Sequence, residues 1–451
     1  MERKTDTGIS ILVVGGGIAG LTFSIEAYRQ GHHVRVIERR DEAKDFGEFI
    51  VITGSALRTP AGWPGFMEEA EKHVMDPIAY LHKFDDGELV GEWPLGKPGD
   101  LKLVIYRAKL HELLYEYARR LGIVTSLSTA AVGYFETHEK GGVLLSDGRR
   151  LEADVVVAAD GVGSVSWQLV LGEKAAPISS GYAIHRTTYP VDRVINNPVL
   201  GPVLKAKRTH FAFYAGPDSH LVMGKTEKEV SWVLTHKDND QATESWTAKD
   251  DSQNMAKFVD GWCPFAQELV KATPADGLLV WKLMWRDPQP KWVSPHGRVV
   301  QIGDAAHPIL PTSGSGATIA MENSISLATC LRIGGKSGIP LATRVHNHLR
   351  FERVSCVQKQ GFKTREFLHR TDWEVVMKSG VQNRLGKWQL EHDPAKYAED
   401  NFEACANHLL YGKAFVNTNS VPGYEYKAWT VRELLAASTD GKDIQDEGVW
   451  M

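Results

Sequence analysis

The order of apolar and polar positions predicts an α/β unit at the start of the chain. Residues 9–14 form a short apolar run, which is typical of a strand buried on both faces. Residues 15–20 hold a glycine-rich turn, residues 21–30 predict a helix, and residues 33–38 predict a second strand. Strand, turn, helix and strand within about 30 residues indicate a right-handed βαβ unit.

The same α/β character returns further along the chain. Residues 101–122 contain a helix pattern, because five large apolar positions recur on one face. These positions are Leu110, Leu113, Leu114, Tyr117 and Leu121. A hairpin is predicted around Asp147-Gly148, between the apolar segments 143–145 and 151–152. Buried strands are predicted at 154–159 and 298–302, and helices at 317–331 and 341–370.

The middle of the chain has a different period. Residues 178–236 alternate apolar and polar positions, with turns at 216–218 and near 225–229. This pattern predicts an antiparallel sheet. The polar stretch 236–254 predicts a mobile surface loop. We therefore expect one α/β domain that an antiparallel sheet interrupts and that a late strand and a helical tail complete.

Composition excludes some classes of protein but does not indicate an activity. The chain has 451 residues, 43% of them hydrophobic and 24% charged, with a formal net charge of −4. This balance is typical of a globular enzyme and does not favour nucleic acid or an anionic membrane as partner. Nor does any run approach the roughly 18 apolar residues of a membrane span, and residues 9–14 are too short for a signal peptide, so a cytoplasmic protein is expected.

The cysteines predict neither a metal site nor disulfides. Cys263, Cys330, Cys356 and Cys405 form no CxxC pair, and their spacings match no zinc site. Free, mostly buried thiols in a reducing compartment are the simpler interpretation. We therefore expect no bound metal.

The glycine turn carries the first chemical signal. Gly15, Gly17 and Gly20 form GxGxxG between a strand and a helix, and Glu38 ends the next strand. Such glycines allow a tight turn, a close approach to a pyrophosphate and close helix–sheet packing, and the acid accepts hydrogen bonds from a ribose. The helix N-terminus favours phosphate. A bound dinucleotide is predicted, although this motif does not separate FAD from NAD.

A later segment points to a flavin. It reads Gly303-Asp304-Ala305-Ala306-His307-Pro308 and continues through Pro311 to Gly314-Ser315-Gly316-Ala317 at a helix start. A carboxylate after a strand can hold the hydroxyls of a ribityl chain. A helix start can face the flavin edge that becomes negative on reduction. The alternative is an ordinary strand–turn–helix connection with a capping Asp.

Three motifs in this order resemble one enzyme family. They are GxGxxG at 15–20, a DG motif in Asp160-Gly161-Val162-Gly163-Ser164, and a GD motif at Gly303-Asp304. Together with the segments 397–402 and 422–429, they are similar to the class A FAD-dependent monooxygenases of the para-hydroxybenzoate hydroxylase fold. The resemblance covers nearly the whole chain and is strongest to the fungal salicylate-hydroxylase-like branch.

The resemblance implies an α/β fold with a Rossmann-like FAD-binding domain of the GR2 type, an inserted antiparallel β-sheet substrate domain and a C-terminal helical tail. The FAD-binding domain would be discontinuous, over residues 1–75, 100–175 and 288–385. Residues 76–99 and 176–287 would form the substrate domain, and residues 386–451 the tail.

The resemblance also assigns cofactor contacts. Glu38 would bind the adenosine ribose, Asp304 the ribityl chain, and Gly316 with Ala317 the pyrimidine ring of the flavin. Arg107 would contact FAD near its pyrophosphate or ribityl part, and its fork geometry suits phosphate oxygens. The alternative for this arginine is a surface position.

The DG motif, with Asp160, would support the pyrophosphate and the path of the nicotinamide. The chain departs from the family at Trp167, where an arginine is usual. It departs again at Ser315, Thr318 and Asn323, where Gln, Asn and Asp are common. We expect the changes in the GD segment to tune the contacts rather than to abolish FAD binding, whereas Trp167 bears on how NAD(P)H is handled.

Three residues are candidates for catalysis. Arg186 resembles a family arginine placed over the flavin and could hold a phenolate, although it could also be an exposed strand residue. Glu48, where relatives have a small residue, could pair with a substrate amine or act as a base, or be a solvated loop acid. A family tyrosine is replaced by Gly224-Lys225, so Tyr214, or else His210, could substitute for it.

The implied reaction uses NAD(P)H, O2 and FAD. Hydride would reduce FAD, and a flavin C4a-hydroperoxide would hydroxylate or epoxidise an aromatic or indole-type small molecule, as in fungal secondary metabolism. NAD(P)H would visit only transiently, because no second dinucleotide fold is evident, and a monomer or homodimer is expected. The alternatives are an FAD-dependent oxidase or dehydrogenase reduced by its own substrate, and a flavin-binding regulator. The Trp-x-Trp-x-Ile-Pro signature of a halogenase is absent.

Overall fold

The computed structural model describes most of the chain. The described residues are 3–43, 47–76, 78–94, 100–173, 176–238, 242, 248–370, 373, 385–442, 444 and 446–451. Within these ranges no helix is both long and apolar enough to cross a membrane.

The described strands number in chain order from β1 to β17. They are β1 (Ser10–Val14), β2 (His33–Ile37), β3 (Phe49–Thr53), β4 (Ile78–Lys83), β5 (Leu89–Pro94), β6 (Lys102–Tyr106), β7 (Val124–Ser126), β8 (Ala131–Glu136), β9 (Gly141–Leu145), β10 (Arg150–Ala153), β11 (Val155–Ala158), β12 (Ile178–Pro190), β13 (His210–Gly216), β14 (Ser219–Lys225), β15 (Glu229–Lys237), β16 (Leu279–Trp285) and β17 (Val299–Gln301).

The α-helices of the same ranges are α1 (Ile18–Arg29), α2 (Gly54–Leu57), α3 (Phe66–Ala70), α4 (Arg107–Arg120), α5 (Trp167–Leu171), α6 (Leu200–Ala206), α7 (Pro264–Lys271), α8 (Gly316–Gly334), α9 (Ile339–Arg370), α10 (Lys387–Leu390), α11 (Pro394–Tyr411) and α12 (Val431–Thr439).

A five-stranded parallel sheet forms the α/β part. Its strand order is β17-β11-β1-β2-β7, so β1 lies in the centre. The predicted βαβ unit is confirmed, although α1 begins at Ile18 rather than at residue 21. Because the strands are parallel, the residues that follow β1, β11 and β17 meet at one edge. These residues open the three sequence motifs at Gly15, Asp160 and Gly303.

The sheet of the middle region has seven strands, in the order β16-β12-β15-β14-β13-β4-β5. Neighbours are antiparallel except for the parallel pair β13 and β4. The predicted turns after β13 and β14 are confirmed. Strands β4 and β5 join this sheet from an earlier part of the chain. The α/β fold with an antiparallel sheet and a C-terminal helical part is thus confirmed, while the exact domain limits stay a prediction.

Local differences from the sequence-based expectation have simple causes. Residues 102–106 form β6 and pair with β3, so α4 starts only at Arg107. In the stretch expected to be a mobile loop, β15 extends to Lys237 and a 3-10 helix covers Ser252–Phe258. Much of what lies between them, 239–241 and 243–247, is outside the described residues. All four cysteines are buried and free.

A buried ionic network joins the helices of the C-terminal half. Glu322 of α8 accepts hydrogen bonds from Arg350 at 2.5 Å and from Arg353 at 2.8 and 2.9 Å, both on α9. Arg353 also donates to the carbonyl oxygens of Trp388 and Gln389 in α10. Burial opposes ionisation of Glu322, but Arg353 and Arg350 outweigh it and hold its pKa below the usual range. The network therefore fixes α8, α9 and the start of the tail together.

Replacing Glu322 by Ala would leave two buried guanidinium groups without their counter-charge. Removing one partner of a buried ion pair typically costs about 3–5 kcal/mol, so we expect a large fall in the unfolding midpoint of Glu322→Ala. Thermal unfolding of the FAD-loaded protein measures it. Asp400→Asn is the control, since the Lys396–Asp400 pair is exposed and should contribute nothing measurable. Equal midpoints for the two variants would contradict the role of this network.

Candidate active site

One cavity of about 760 Å³ lies between the carboxyl edge of the parallel sheet and one face of the seven-stranded sheet. This volume is within the usual range for cofactor and substrate sites. We call the part next to the glycine turn the cofactor end, and the part against the seven-stranded sheet the sheet end. Most of the predicted site residues line this cavity.

The glycine turn shows three different uses of glycine. Gly15 has a φ of +107°, and a Cβ there would lie 2.4 Å from the carbonyl oxygen of Ala159. Gly20 does not line the cavity; a Cβ there would lie 2.0 Å from the carbonyl oxygen of Gly15, so this position serves helix–sheet packing. At Gly17 a Cβ would meet nothing within 4 Å. The N-terminus of α1 therefore faces open cavity at Gly17.

Glu38 and His111 hold the turn from two sides. The Glu38 carboxylate accepts hydrogen bonds from the backbone N–H of Gly16 at 2.7 Å and of Arg40 at 2.9 Å. The Nε2 atom of His111 donates to the carbonyl oxygen of Gly16 at 2.7 Å. Glu38 thus lies beside the turn, where a ribose hydroxyl would be expected.

Asp304 of the GD motif and Arg107 at the start of α4 both line the cavity. Arg107 is the first residue of α4, and its backbone N–H donates to the carbonyl oxygen of Glu48 at 2.8 Å. The Asp304 side chain is exposed to the cavity, and the surrounding protein walls make this a partly desolvated position. Burial therefore raises the pKa of the Asp304 carboxyl, and the guanidinium groups of Arg107 and Arg286 oppose this rise. Both arginines thus bring positive charge close to this carboxylate.

Asp160 lies at the cavity wall after β11. Its carboxylate accepts a hydrogen bond from the Tyr134 hydroxyl at 2.8 Å. Burial raises the pKa of Asp160, while hydrogen bonds from Ser164 and Tyr134 oppose the rise. Trp167 does not reach the cavity; it is buried at the start of α5. The departure from the usual arginine therefore places an indole in the core.

The start of α8 brings Gly316 and Ala317 to the cavity wall. Of the other departures in this segment, Thr318 accepts a hydrogen bond from the backbone N–H of Thr53 at 3.3 Å. Asn323 lies away from the cavity and bonds His307 at 2.6 Å and Arg350 at 2.7 Å. These two side chains therefore have structural partners of their own.

The cofactor end fits a dinucleotide. At four glycines on its wall an added Cβ would meet no atom within 4 Å, so their backbones border open space. They are Gly17, Gly161, Gly163 and Gly314. A helix N-terminus, the carboxylates of Glu38, Asp160 and Asp304, and arginines that include Arg107 surround that space. This is the donor and acceptor set that phosphates and sugar hydroxyls require.

The sheet end is built by strand alternation. Side chains two residues apart point to the same face of a strand. The cavity side carries Ile184, Arg186, Phe211, Phe213, His220, Val222, Val233, Thr235 and Trp281. Phe49 of β3 covers Gly224, where a Cβ would lie 2.6 Å from the phenyl ring. An aromatic and apolar wall with a few polar groups results.

Arg186 and Glu48 meet in this wall. The Arg186 NH1 atom lies 3.1 Å from Glu48 Oε2, and the two side chains are only 4% and 12% exposed. Neither the exposed strand arginine nor the solvated loop acid considered above describes them. Two candidates that the sequence offered separately are therefore one buried ion pair.

The expectation that Tyr214 takes part in catalysis is wrong. It follows Phe213 by one residue and therefore points to the opposite face of the sheet, where its ring stacks on His82 at 4.9 Å and on Phe265 at 5.6 Å. It does not line the cavity, and neither does His210, whose ring stacks on Tyr80. Both residues belong to the packing behind the sheet rather than to a substrate contact.

Several lining residues were missed by sequence reasoning. His111 follows Arg107 by four positions on α4, so helical spacing would have placed it on the same face. The alternation of faces along β14 would have placed His220 on the same side as Val222, at the cavity. Arg286, Thr364 and Leu368 carried no such signal, because only the tertiary fold brings the end of β16 and the late turns of α9 to the cavity.

Comparison with known proteins agrees with this geometry. A family model described as an FAD binding domain matches residues 8–334. The chain belongs to this family of flavoproteins. The FAD-dependent monooxygenase mdpD of Emericella nidulans is 34% identical over 482 residues, which cover 100% of this chain and 92% of that protein. The chain is accordingly an FAD-dependent monooxygenase, as the resemblance implied.

Two solved structures share the fold. The crystal structure of CtdE in complex with FAD and a substrate matches with a TM-score of 0.82 and 28% identity, covering 89% of this chain and 99% of that one. A salicylate hydroxylase substrate complex matches with a TM-score of 0.70 and 23% identity, covering 87% and 98%. The expected membership of the FAD-dependent monooxygenases is confirmed, and the salicylate hydroxylase shares the fold.

Gly17→Ala tests the cofactor end. The added methyl would enter open cavity rather than protein, so we expect an unchanged fold and FAD binding weakened at least about tenfold, or about 1.4 kcal/mol. Titration of the apoprotein with FAD measures the affinity, and thermal unfolding of the apoprotein checks the fold. Gly62→Ala is the matched control, because a Cβ there also meets nothing within 4 Å but lies outside the cavity. Unchanged FAD affinity in Gly17→Ala would refute this placement.

Proposed function

We propose that this monooxygenase uses NAD(P)H and O2 to hydroxylate or epoxidise an electron-rich aromatic or indole-type small molecule of fungal secondary metabolism. The observation that carries the proposal is the continuous cavity that joins a dinucleotide cradle to an aromatic wall with a buried ion pair. FAD, when bound, supplies the hydride acceptance and oxygen activation that no side chain provides.

The cofactor contacts are part of the proposal. Gly15 and Gly17 with the N-terminus of α1 would hold the pyrophosphate, together with Arg107 and the Asp160 turn. Glu38 would bind the adenosine ribose and Asp304 the ribityl hydroxyls. Gly316 and Ala317 would face the flavin pyrimidine ring. NAD(P)H would approach the same cavity transiently, as the expected single dinucleotide fold implies.

The ion pair changes the role proposed for Glu48. Arg186 already neutralises this carboxylate, which is the one carboxylate among the described residues at the sheet end. A substrate ammonium would have to displace a buried guanidinium to reach it, at a large desolvation cost. We therefore assign Glu48 to holding Arg186 in place over the substrate. Arg186 would donate hydrogen bonds to oxygen atoms of the substrate, in a site that excludes water.

The first test is the visible spectrum of the FAD-loaded protein without oxygen. NADPH or NADH should bleach the flavin band, and salicylate, 1-naphthol or indole should be tried as accelerators. Readmitted air should then restore the band and give a product heavier than the aromatic by one oxygen atom, measured by mass spectrometry. A band that only the organic compound bleaches would indicate an oxidase or dehydrogenase instead. A band that nothing bleaches would contradict catalysis by NAD(P)H and favour a flavin-binding regulator.

Glu48→Gln tests the ion pair. The neutral amide leaves Arg186 without its counter-charge, so the guanidinium shifts and kcat/KM for the aromatic falls at least about tenfold. Steady-state NAD(P)H oxidation coupled to product formation measures this. Glu112→Gln is the control, since it makes the same change in the exposed pair with Lys109. Unchanged kinetics in Glu48→Gln would remove the pair from the mechanism.

A further inference from the structure

His220 is a buried polar residue on the cavity side of β14. It lines the cavity and is 4% exposed. Thr235 of β15 is its direct cross-strand partner, and Val222 is the next residue of β14 on the same face. Its position is therefore fixed by the sheet rather than by a loop.

One ring nitrogen of His220 is already occupied. Its Nδ1 atom lies 2.8 Å from Nε2 of His369, the residue before the last of α9. Burial lowers the pKa of His220 to about 4 and that of His369 to about 2. Both rings are thus neutral near pH 7, and each carries a single N–H. One of the two rings must donate in this bond and the other must accept.

The surroundings of His369 decide which ring donates. Its other nitrogen, Nδ1, is buried and has no hydrogen-bond partner among the described residues. If His220 donated, the His369 proton would sit on Nδ1 as a buried unpartnered N–H, which native structures avoid more strictly than an unpartnered acceptor. His369 therefore donates from Nε2, and His220 accepts at Nδ1.

The consequence lies at the cavity. A neutral His220 that accepts at Nδ1 carries its proton on Nε2. Within the described residues Nε2 has no hydrogen-bond partner, and it is not among the atoms sealed from solvent. The pair thus presents an N–H donor of fixed orientation to a wall that is mostly aromatic and apolar.

We propose that His220 is a substrate-contacting residue whose Nε2–H, oriented by His369, binds a hydrogen-bond-accepting oxygen of the substrate, such as a ring carbonyl. This site deepens the proposed function and rests on it, since it assigns an aromatic ketone or quinone-like oxygen to the sheet end. His369 acts as a positioning residue. A substrate that offers only N–H or C–H groups at this point would leave the donor unpaired, at a cost in binding.

The tautomer can be measured without any ligand. Histidine labelled with ¹⁵N in the FAD-loaded full chain gives distinct long-range ¹H–¹⁵N patterns for the two neutral forms. His220→Gln and His369→Gln assign the signals by their disappearance. We expect the proton on Nε2 in both rings near pH 7. A proton on Nδ1 of His220 would overturn the proposal.

Binding of two matched probes tests the contact. 1-Tetralone and tetralin share one ring skeleton and differ in a single carbonyl, and binding is followed by the change in the flavin spectrum. We expect at least about tenfold tighter binding of 1-tetralone, lost in His220→Leu and partly kept in His220→Gln, whose amide still donates. His138→Gln, an exposed position outside the cavity, is the control.

A wild-type protein that binds 1-tetralone no tighter than tetralin would overturn the proposal, and so would a preference that survives in His220→Leu. Flavin content and the unfolding midpoint check that each variant is folded, and the tautomer measurement stands on the unmodified chain. Neither measurement requires turnover or NAD(P)H. Failure here with a flavin that NAD(P)H still bleaches would therefore leave the proposed function intact.

Discussion

The close approach of α1 to β1 is the constraint on which the site depends. A Cβ at Gly20 would come within 2.0 Å of the carbonyl oxygen of Gly15, so the helix can lie this near the strand only with glycine at that position. The approach aims the helix N-terminus at the cavity, where its free N–H groups favour phosphate. Glu38 and His111 then fasten Gly16 from both sides, and Asp160 and Asp304 arrive at the same edge on parallel strands.

The cofactor half of the molecule could be predicted from the sequence because its signals are local. The apolar strand, the glycine spacing and the acid at residue 38 lie within one βαβ unit, and the structure forms that unit with shifts of a few residues at the helix start. The GD segment likewise precedes a helix as expected. His111 was not predicted, although it lies four residues after Arg107 and therefore on the same face of α4.

The substrate half was predicted less well, for two physical reasons. Residue type alone suggests Tyr214, whereas the period of two along β13 places Phe213 at the cavity and Tyr214 in the packing behind the sheet. The pairing of Arg186 with Glu48 was not predictable, because 138 residues separate them and only the tertiary fold brings β12 to the segment before β3. The same holds for the approach of α9 to the cavity.

Helix α9 has 32 residues and connects the buried ionic network to the wall of the cavity. Its middle is fixed by Arg350 and Arg353 to Glu322, whereas Thr364 and Leu368 form part of the sheet-end wall. Arg353 and Leu368 are separated by about 22 Å at 1.5 Å per residue. One continuous helix therefore carries both the ionic anchor and this part of the wall. The position of the sheet-end wall thus depends in part on three charged residues that do not line the cavity, Glu322, Arg350 and Arg353.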